Sequence, residues 1–340
     1  MEAIRVEDAV GTVLCHDLTR IIPGKEKGPA FKKGQIIKEE DIPELLKMGK
    51  SHIYIWEVKP GQLHENEAAE RLSRALAGPG LSFSEPSEGK INLIAACDGM
   101  LTIAEDILEQ VNMIEDMVAA TRSNRRPVKA GDIVAAVRVV PLLIEENKLQ
   151  QVEKITQGYQ TVRVTPFKAL KTGVVTTGSE VFYGRIQDKF GPVIRQKMKA
   201  YGCQVFRQIF VPDDLAQITA AIHALKAEGA ELILTTGGMS VDPDDLTPSA
   251  VRQAGAEIAT YGAPVLPGSM LMVAYLEGVP ILGLPGCVMY NQTTIFDLII
   301  PTVLTGEKVS KAMVARLGVG GLCLKCEICR YPVCTFGTGA

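Results

Sequence analysis

Residues 167–307 are predicted to form an α/β domain: a parallel sheet with helices on both faces, preceded by smaller α+β modules and followed by a cysteine-rich tail. Three observations predict this. Short apolar runs alternate with helical stretches of about 10–15 residues, the rhythm of parallel strands joined by crossovers. Three of these runs end in the same way, at Thr176-Thr177-Gly178-Ser179-Glu180, Thr235-Thr236-Gly237-Gly238 and Leu284-Pro285-Gly286. In such sheets these ends meet on one rim, beyond which ligands bind.

The elements follow in order. Gly173–Thr177 reads as a strand broken by Gly178, Pro192–Tyr201 as a helix and Gln204–Val211 as a strand. Asp213 or Asp214 caps a helix with Leu215, Ile218, Ile222 and Leu225 on one face. Glu231–Thr236 is a buried-type strand, and Thr247-Pro248 reads as an N-cap with proline at the first helical position. Val279–Leu284 is a strand ending in Pro285-Gly286-Cys287, before a helix over Val288–Leu304. Residues 1–60 form a small β-rich module with a Gly/Pro-rich loop (IIPGKEKGPAFKKGQ), a helix over Glu39–Met48, a closing strand over Tyr54–Val58 and a turn at Lys59-Pro60-Gly61. Residues 61–166 form an α+β module. Its helix Glu65–Ala77 is stopped by Gly78-Pro79-Gly80, and Ile91–Ala96, Ile133–Val140 and Val162–Val164 read as strands. An amphipathic helix runs from Ala104 with Ile107, Leu108, Val111, Ile114 and Val118 at helical spacing. Residues 308–340 are the tail.

Composition excludes several classes. A net charge of −3 gives no reason to expect a nucleic-acid or membrane partner, and Arg122, Arg125 and Arg126 read as a solvated loop. No apolar run reaches the ~18–20 residues of a membrane span, and MEAIRVEDAV is no signal peptide. A cytoplasmic location is expected, where eight cysteines are thiols or metal ligands rather than disulfides. Only 5% of residues are aromatic, with one tryptophan, Trp56, which speaks against base-stacking platforms. His16, His52, His64 and His223 show no HxxxH or HExxH spacing and read as structural or surface residues. Without a Walker A loop or a GxGxxG after a strand, a P-loop NTPase or nicotinamide dehydrogenase is not expected.

The chemistry concentrates in Leu234–Thr247, LTTGGMSVDPDDLT. Gly237 and Gly238 permit positive φ, so successive N–H groups can face an anion. Asp242, Asp244 and Asp245 follow at once. An anion cradle beside carboxylates suits Mg²⁺-assisted phosphoryl or oxyanion chemistry, with these three acids as the magnesium ligands. In the tail, Cys323, Cys326, Cys329 and Cys334 give C-x₂-C-x₂-C-x₄-C, four thiols able to bind zinc or an iron–sulfur cluster, or to stand as bare thiols. Cys287 has two readings: a thiolate activated at a helix N-terminus, or a small buried hydrophobe. Cys15, Cys97 and Cys203 read as structural.

TTGSE, GRIQD, TTGGMSVDPDDLT, LPGSM and GLPGCVMYNQTT, over about residues 171–307, resemble the molybdopterin-binding domain shared by MoeA, MogA, gephyrin and their relatives. AVGTVLCHDLTRIIPGKEKG is similar to the opening of MoeA-like proteins. The resemblance implies binding of molybdopterin or its adenylate at the strand ends, around Thr177, Gly178, Ser179, Glu180, Asp188, Gly237, Gly238, Ser240, Pro285 and Gly286. It implies Asp245, with Asp242 beside it, as the catalytic acids of a Mg²⁺-dependent molybdate insertion, a molybdopterin molybdotransferase-like reaction. The chain departs from the family at three places. DSN is Asp188-Lys189-Phe190, the two lysines of KPGKP are missing from Leu266-Pro267-Gly268-Ser269-Met270, and GLPGNP becomes Gly286-Cys287-Val288. The scaffold is retained while the groups that clamp oxyanions are altered.

Two functions of different class follow. One is an enzyme of molybdenum cofactor biosynthesis acting on molybdopterin and molybdate. The other is a non-catalytic carrier or maturation factor that hands cofactor to a molybdoenzyme client through a metal-binding Cys₄ tail. The family's habit implies a homo-oligomer.

Overall fold

A computed structural model describes residues 2–22, 26–55, 60–240 and 242–339. Pro23–Lys25 of the Gly/Pro-rich loop, Trp56 and the end of the strand expected over Tyr54–Val58, Lys59 of the following turn, and Val241 lie outside the described residues. The chain divides into two compact units: Met1–Cys97 with Ile103–Arg122 and Ala130–Val164, and Asp98–Thr102 with Ser123–Lys129 and Thr165–Ala340. Among the described residues no helix is long and apolar enough to cross a membrane.

In the first unit, Glu2–Arg5 pairs antiparallel with His52–Ile55, and Leu18–Ile22 with Glu26–Phe31. Val6, Leu14, Leu18, Phe31, Leu45 and Ile53 form their core. The helix expected over Glu39–Met48 is a 3₁₀ turn, Glu39–Asp41, followed by an α-helix, Ile42–Lys47, with Pro43 in its first turn. Further along, Glu65–Leu76 is helical and Leu81–Phe83, Lys90–Ala95, Ile133–Val139 and Met117–Thr121 form a four-stranded sheet in that order. The amphipathic helix from Ala104 is shorter than its apolar spacing suggested. It covers Glu105–Asn112, and Val118 lies in the strand Met117–Thr121, where it is exposed. An apolar residue every third or fourth position had hidden the change of period, because Met117 and Ala119 point inward on a strand of period two.

The second unit is built on a six-stranded sheet. Its strands are β1 (Lys171–Thr177), β2 (Gln204–Val211), β3 (Leu232–Thr236), β4 (Glu257–Tyr261), β5 (Met272–Leu276) and β6 (Val279–Leu284), in the order β2-β1-β3-β6-β5-β4. The first four in that order are parallel, while β5 and β4 complete the sheet antiparallel. The antiparallel pair is an addition to the predicted parallel sheet.

The strands explain why helices cover both faces. Val174, Leu232, Leu234, Leu282 and Leu284 enter one core, while Val175, Ile233, Ile281 and Met272 enter another. Alternate residues of buried strands thus feed two apolar layers. The first core holds α1 (Phe190–Lys199) and α4 (Ile295–Thr305); the second holds α2 (Leu215–Ala227) and α3 (Thr247–Gln253). Asp214 is the cap of α2, its carboxylate accepting the Gln217 N–H at 2.8 Å. α4 begins later than expected from the apolar run, at Ile295 rather than Val288. Gly286–Met289 is a 3₁₀ turn, and the helix starts only after Thr294, whose capping box with Asp297 satisfies its first N–H groups.

Candidate functional site

β1 leads to β2 on one side of itself, whereas β3 lies on the other. The chain reverses direction across the sheet at this point, and a crevice opens beyond the carboxyl ends of the strands. Gly237 and Gly238, directly after β3, both have positive φ, 85° and 57°. A side chain at Gly237 would place its Cβ 2.3 Å from the Thr177 carbonyl oxygen, and one at Gly238 would sit 2.7 Å from the Thr247 hydroxyl. Both positions therefore need glycine for conformation and for close approach.

Buried threonines tie the turn to the sheet. Thr177 Oγ1 donates to the Thr236 carbonyl at 3.2 Å and lies 3.3 Å from Thr247 Oγ1, which in turn donates to the Gly237 carbonyl at 2.9 Å. The Thr247 N–H donates to the Gly238 carbonyl at 3.2 Å. Thr247 is thus the first residue of α3, not its cap, and its hydroxyl faces inward onto the glycine turn. Tyr261 at the sheet edge donates to the carbonyls of Met239 and Ser240, 3.0 and 3.3 Å away. Burial, with the Asp245 carboxylate nearby, pushes the Tyr261 hydroxyl up and keeps it a donor. These bonds use carbonyls. Among the described residues, no backbone acceptor takes the N–H of Gly238, Met239 or Ser240.

A cavity of about 260 Å³ opens at this turn. Gly237, Gly238, Ser240 and Asp245 line it from the β3 side, and Pro285 and Gly286 from the end of β6. Phe190, Met239, Met270 and Leu284 add apolar wall. Among the described residues, none that lines it is cationic. Of the three acids, only Asp245 reaches the cavity; its carboxylate accepts the Asp242 N–H at 2.9 Å. Asp242 and Asp244 are exposed. Among the described residues, no three His, Cys, Asp or Glu side chains stand close enough together to hold a metal ion.

The other expected ligand residues lie along the β1 end and do not line the cavity. Thr177 is buried in the threonine network. The backbone N–H of Ser179 donates to Asp213 at 2.8 Å, and Glu180 is exposed with its carboxylate folded over Gly178. Asp188 accepts from the Phe190 and Gly191 N–H groups and from Gln208 Nε2, so its carboxylate caps the start of α1. Gln208 bridges onward to Thr176 at 2.9 Å. The inward role of Thr247 and this Gln208 bridge had no signal in the sequence.

Cys287 corrects one expectation. The 3₁₀ turn it occupies is four residues long, and burial, aided by the negative charge of Asp297, pushes its thiol up rather than down. An activated thiolate at a helix N-terminus is not what the structure contains.

The four tail cysteines line a second cavity, of about 230 Å³, together with the segment Tyr290–Thr293. All four are free of disulfides; Cys326 and Cys329 are exposed, Cys323 and Cys334 half-buried.

Residues 173–305 match the family described as "Probable molybdopterin binding domain", and residues 3–57 match a domain of unknown function, DUF8806. A CinA-like protein of Mycobacterium sp. (strain MCS) is 39% identical over 89 residues, covering 26% of this chain and 21% of that protein. A molybdopterin molybdenumtransferase of Staphylococcus epidermidis (strain ATCC 35984) is 30% identical over 168 residues, covering 47% of this chain and 38% of that protein. The chain thus spans well under half the length of these curated relatives. Among solved structures, the molybdopterin biosynthesis enzyme MoaB of Thermus thermophilus matches 41% of this chain and 98% of its own, at 23% identity and a TM-score of 0.34.

Proposed function

We propose, from the match of residues 173–305 to the probable molybdopterin binding domain family, that this chain binds molybdopterin or its adenylate in the cavity beyond β3 and β6. One observation carries the reading: a cavity at the sheet's switch point, walled on one side by Gly237, Gly238, Ser240 and Asp245 and on the other by Pro285 and Gly286. The N–H groups of Gly238, Met239 and Ser240 and the Ser240 hydroxyl suit a phosphate oxygen. Met239, Met270 and Phe190 give the pterin an apolar bed. Asp245 is the acid suited to share a Mg²⁺ with that phosphate, with the exposed Asp242 and Asp244 able to complete its ligands only when ligand is bound.

Molybdate insertion with loss of AMP is the transferase form of this proposal. The carrier form, in which cofactor is held and handed to a molybdoenzyme client in the cytoplasm, is favoured by the absence of any cation among the described residues lining the cavity. An oxyanion such as molybdate gains most from a fixed positive group. Incubating the protein with adenylated molybdopterin, with and without Mg²⁺ and molybdate, separates the two. Molybdate-dependent AMP release that disappears in Asp245→Asn establishes the transferase. Retention of the pterin without AMP release establishes the carrier. Neither retention nor release would reject the ligand itself.

A further inference from the structure

The tail that carries four cysteines is held in place with almost no core of its own. Leu324, Ile328 and Val333 are each more than 70% exposed, and among the described residues from Leu322 onward Phe336 is the one deeply buried apolar side chain. Its backbone is nevertheless fixed at particular points. The Leu266 N–H donates to the Gly321 carbonyl and the Cys323 N–H to the Leu266 carbonyl, both at 2.8 Å. Tyr331 donates to the Asp297 carbonyl at 2.7 Å, inside α4. Lys325, between the first two cysteines, holds a positive φ of 51°, a strained setting for a residue with a side chain. Cys326 follows that bend, and all four cysteines line the same cavity.

Charge at the site agrees with an anionic occupant. Arg126 is 3% exposed, and its guanidinium donates to the carbonyls of Cys334 and Phe336, at 3.2 and 2.5 Å. Arg126 stands behind the cavity wall rather than in it, while Lys325 and Arg330 line the cavity, against the single carboxylate of Glu327. Four thiolates around a divalent ion carry a net charge of about −2, and buried or nearby cations offset it. Cys329 Sγ already lies 3.1 Å from the Thr293 hydroxyl, a donor suited to a thiolate.

We propose that Cys323, Cys326, Cys329 and Cys334 bind one thiophilic metal centre, zinc or a preassembled iron–sulfur cluster, and that loading it stiffens the two rim loops of the ligand cavity. On binding, each thiol gives up its proton to solvent as its sulfur–metal bond forms. The exposed Cys326 and Cys329 side chains turn inward to complete the set. Coupling to the rim follows from the backbone. Leu266, which pairs with Gly321 and Cys323, opens the loop that ends at Met270 in the ligand cavity. Tyr290–Thr293, in the wall of the tail cavity, continues from Pro285 and Gly286 in the wall of the ligand cavity. The metal centre would therefore brace both loops from behind.

The test uses the full chain, purified without oxygen, and neither arm involves the pterin, so it succeeds or fails independently of the proposed ligand. About one zinc per chain, or iron with matching acid-labile sulfide and broad visible absorption, is expected in the wild type. Either content should fall to background in Cys326→Ser/Cys329→Ser, whose two side chains are exposed and not needed for the core. Metal at background in the wild type, or undiminished in the double variant, overturns the centre. Hydrogen exchange then compares loaded with chelator-stripped wild type. Amides of 266–270 and 286–293 should exchange about tenfold more slowly when loaded. Equal exchange in both loops would overturn the bracing.

Discussion

Two cavities of similar size, about 260 and 230 Å³, open in the same compact unit and are built by opposite means. The first is shaped by backbone: a glycine pair in left-handed conformation, pinned by Thr177 and Thr247 against the sheet. The second is shaped by side chains on an irregular tail whose Leu324, Ile328 and Val333 face solvent. The first is therefore rigid before any ligand arrives, which is what a phosphate site needs to avoid reorganisation on binding. The second rests on few buried apolar side chains, Phe336 first among them, and under the proposal above a metal centre at its cysteines would fix its shape.

The largest effect that tests this contrast is expected at Gly237. Gly237→Ala should cost about 2–4 kcal/mol, since it combines a left-handed backbone with a Cβ against the Thr177 carbonyl. Gly286→Ala on the opposite wall meets nothing within 4 Å and should stay within about 0.5 kcal/mol. Urea unfolding of the two variants checks this; similar losses would show that the turn is not the rigid element. Next comes the support between the cavities. Lys197 pairs with Asp297 at 2.6 Å and donates to the Gln292 carbonyl, with both side chains largely buried. Asp297→Asn leaves that lysine without its counter-charge and should cost about 1–3 kcal/mol, partly recovered in Lys197→Met/Asp297→Asn.

Smaller again, Thr247→Val removes the hydroxyl under the glycine turn and should cost about 1 kcal/mol in the same unfolding measurement. The smallest effect is kinetic. In metal-free protein, iodoacetamide should label the exposed Cys326 and Cys329 about tenfold or more faster than Cys287 at neutral pH. Because burial raises the Cys287 thiol, its thiolate fraction is low there, and its rate should climb roughly tenfold per pH unit until its pKa is passed. First labelling at Cys287, followed by mass spectrometry of the peptides, would restore the activated-thiolate reading.

What could be read from the sequence was governed by short-range rules. Gln204–Val211 and Val279–Leu284 were legible as strands because both are largely apolar runs bounded by breakers. Gly237-Gly238 was legible because few other residues tolerate that backbone. The strands Glu257–Tyr261 and Met272–Leu276 were not, because the loop between them carries the glycines and prolines that had drawn attention to a candidate ligand segment. Thr247 looked like a cap because threonine before proline commonly is one. Its hydroxyl instead meets Thr177, 70 residues away along the chain, and Gly237 on the adjoining turn. Among the expected site residues, the structure gathers Gly237, Gly238, Ser240, Asp245, Pro285 and Gly286 around one cavity. It leaves Glu180, Asp242 and Asp244 at the surface and uses Asp188 to cap α1. Spacing along a chain cannot tell a carboxylate that caps a helix from one that faces a ligand.

On the proposed function, molybdopterin sits in the cavity between the Gly237-Gly238 turn and the Pro285-Gly286 turn. Gly286→Leu tests it most directly, because that position lines the cavity and an added Cβ there meets nothing within 4 Å. Titration of molybdopterin into wild type and variant, alongside their urea midpoints, should give unchanged stability and an affinity weakened by about tenfold or more. Equal affinity in a variant that remains folded would place the ligand elsewhere and contradict the account.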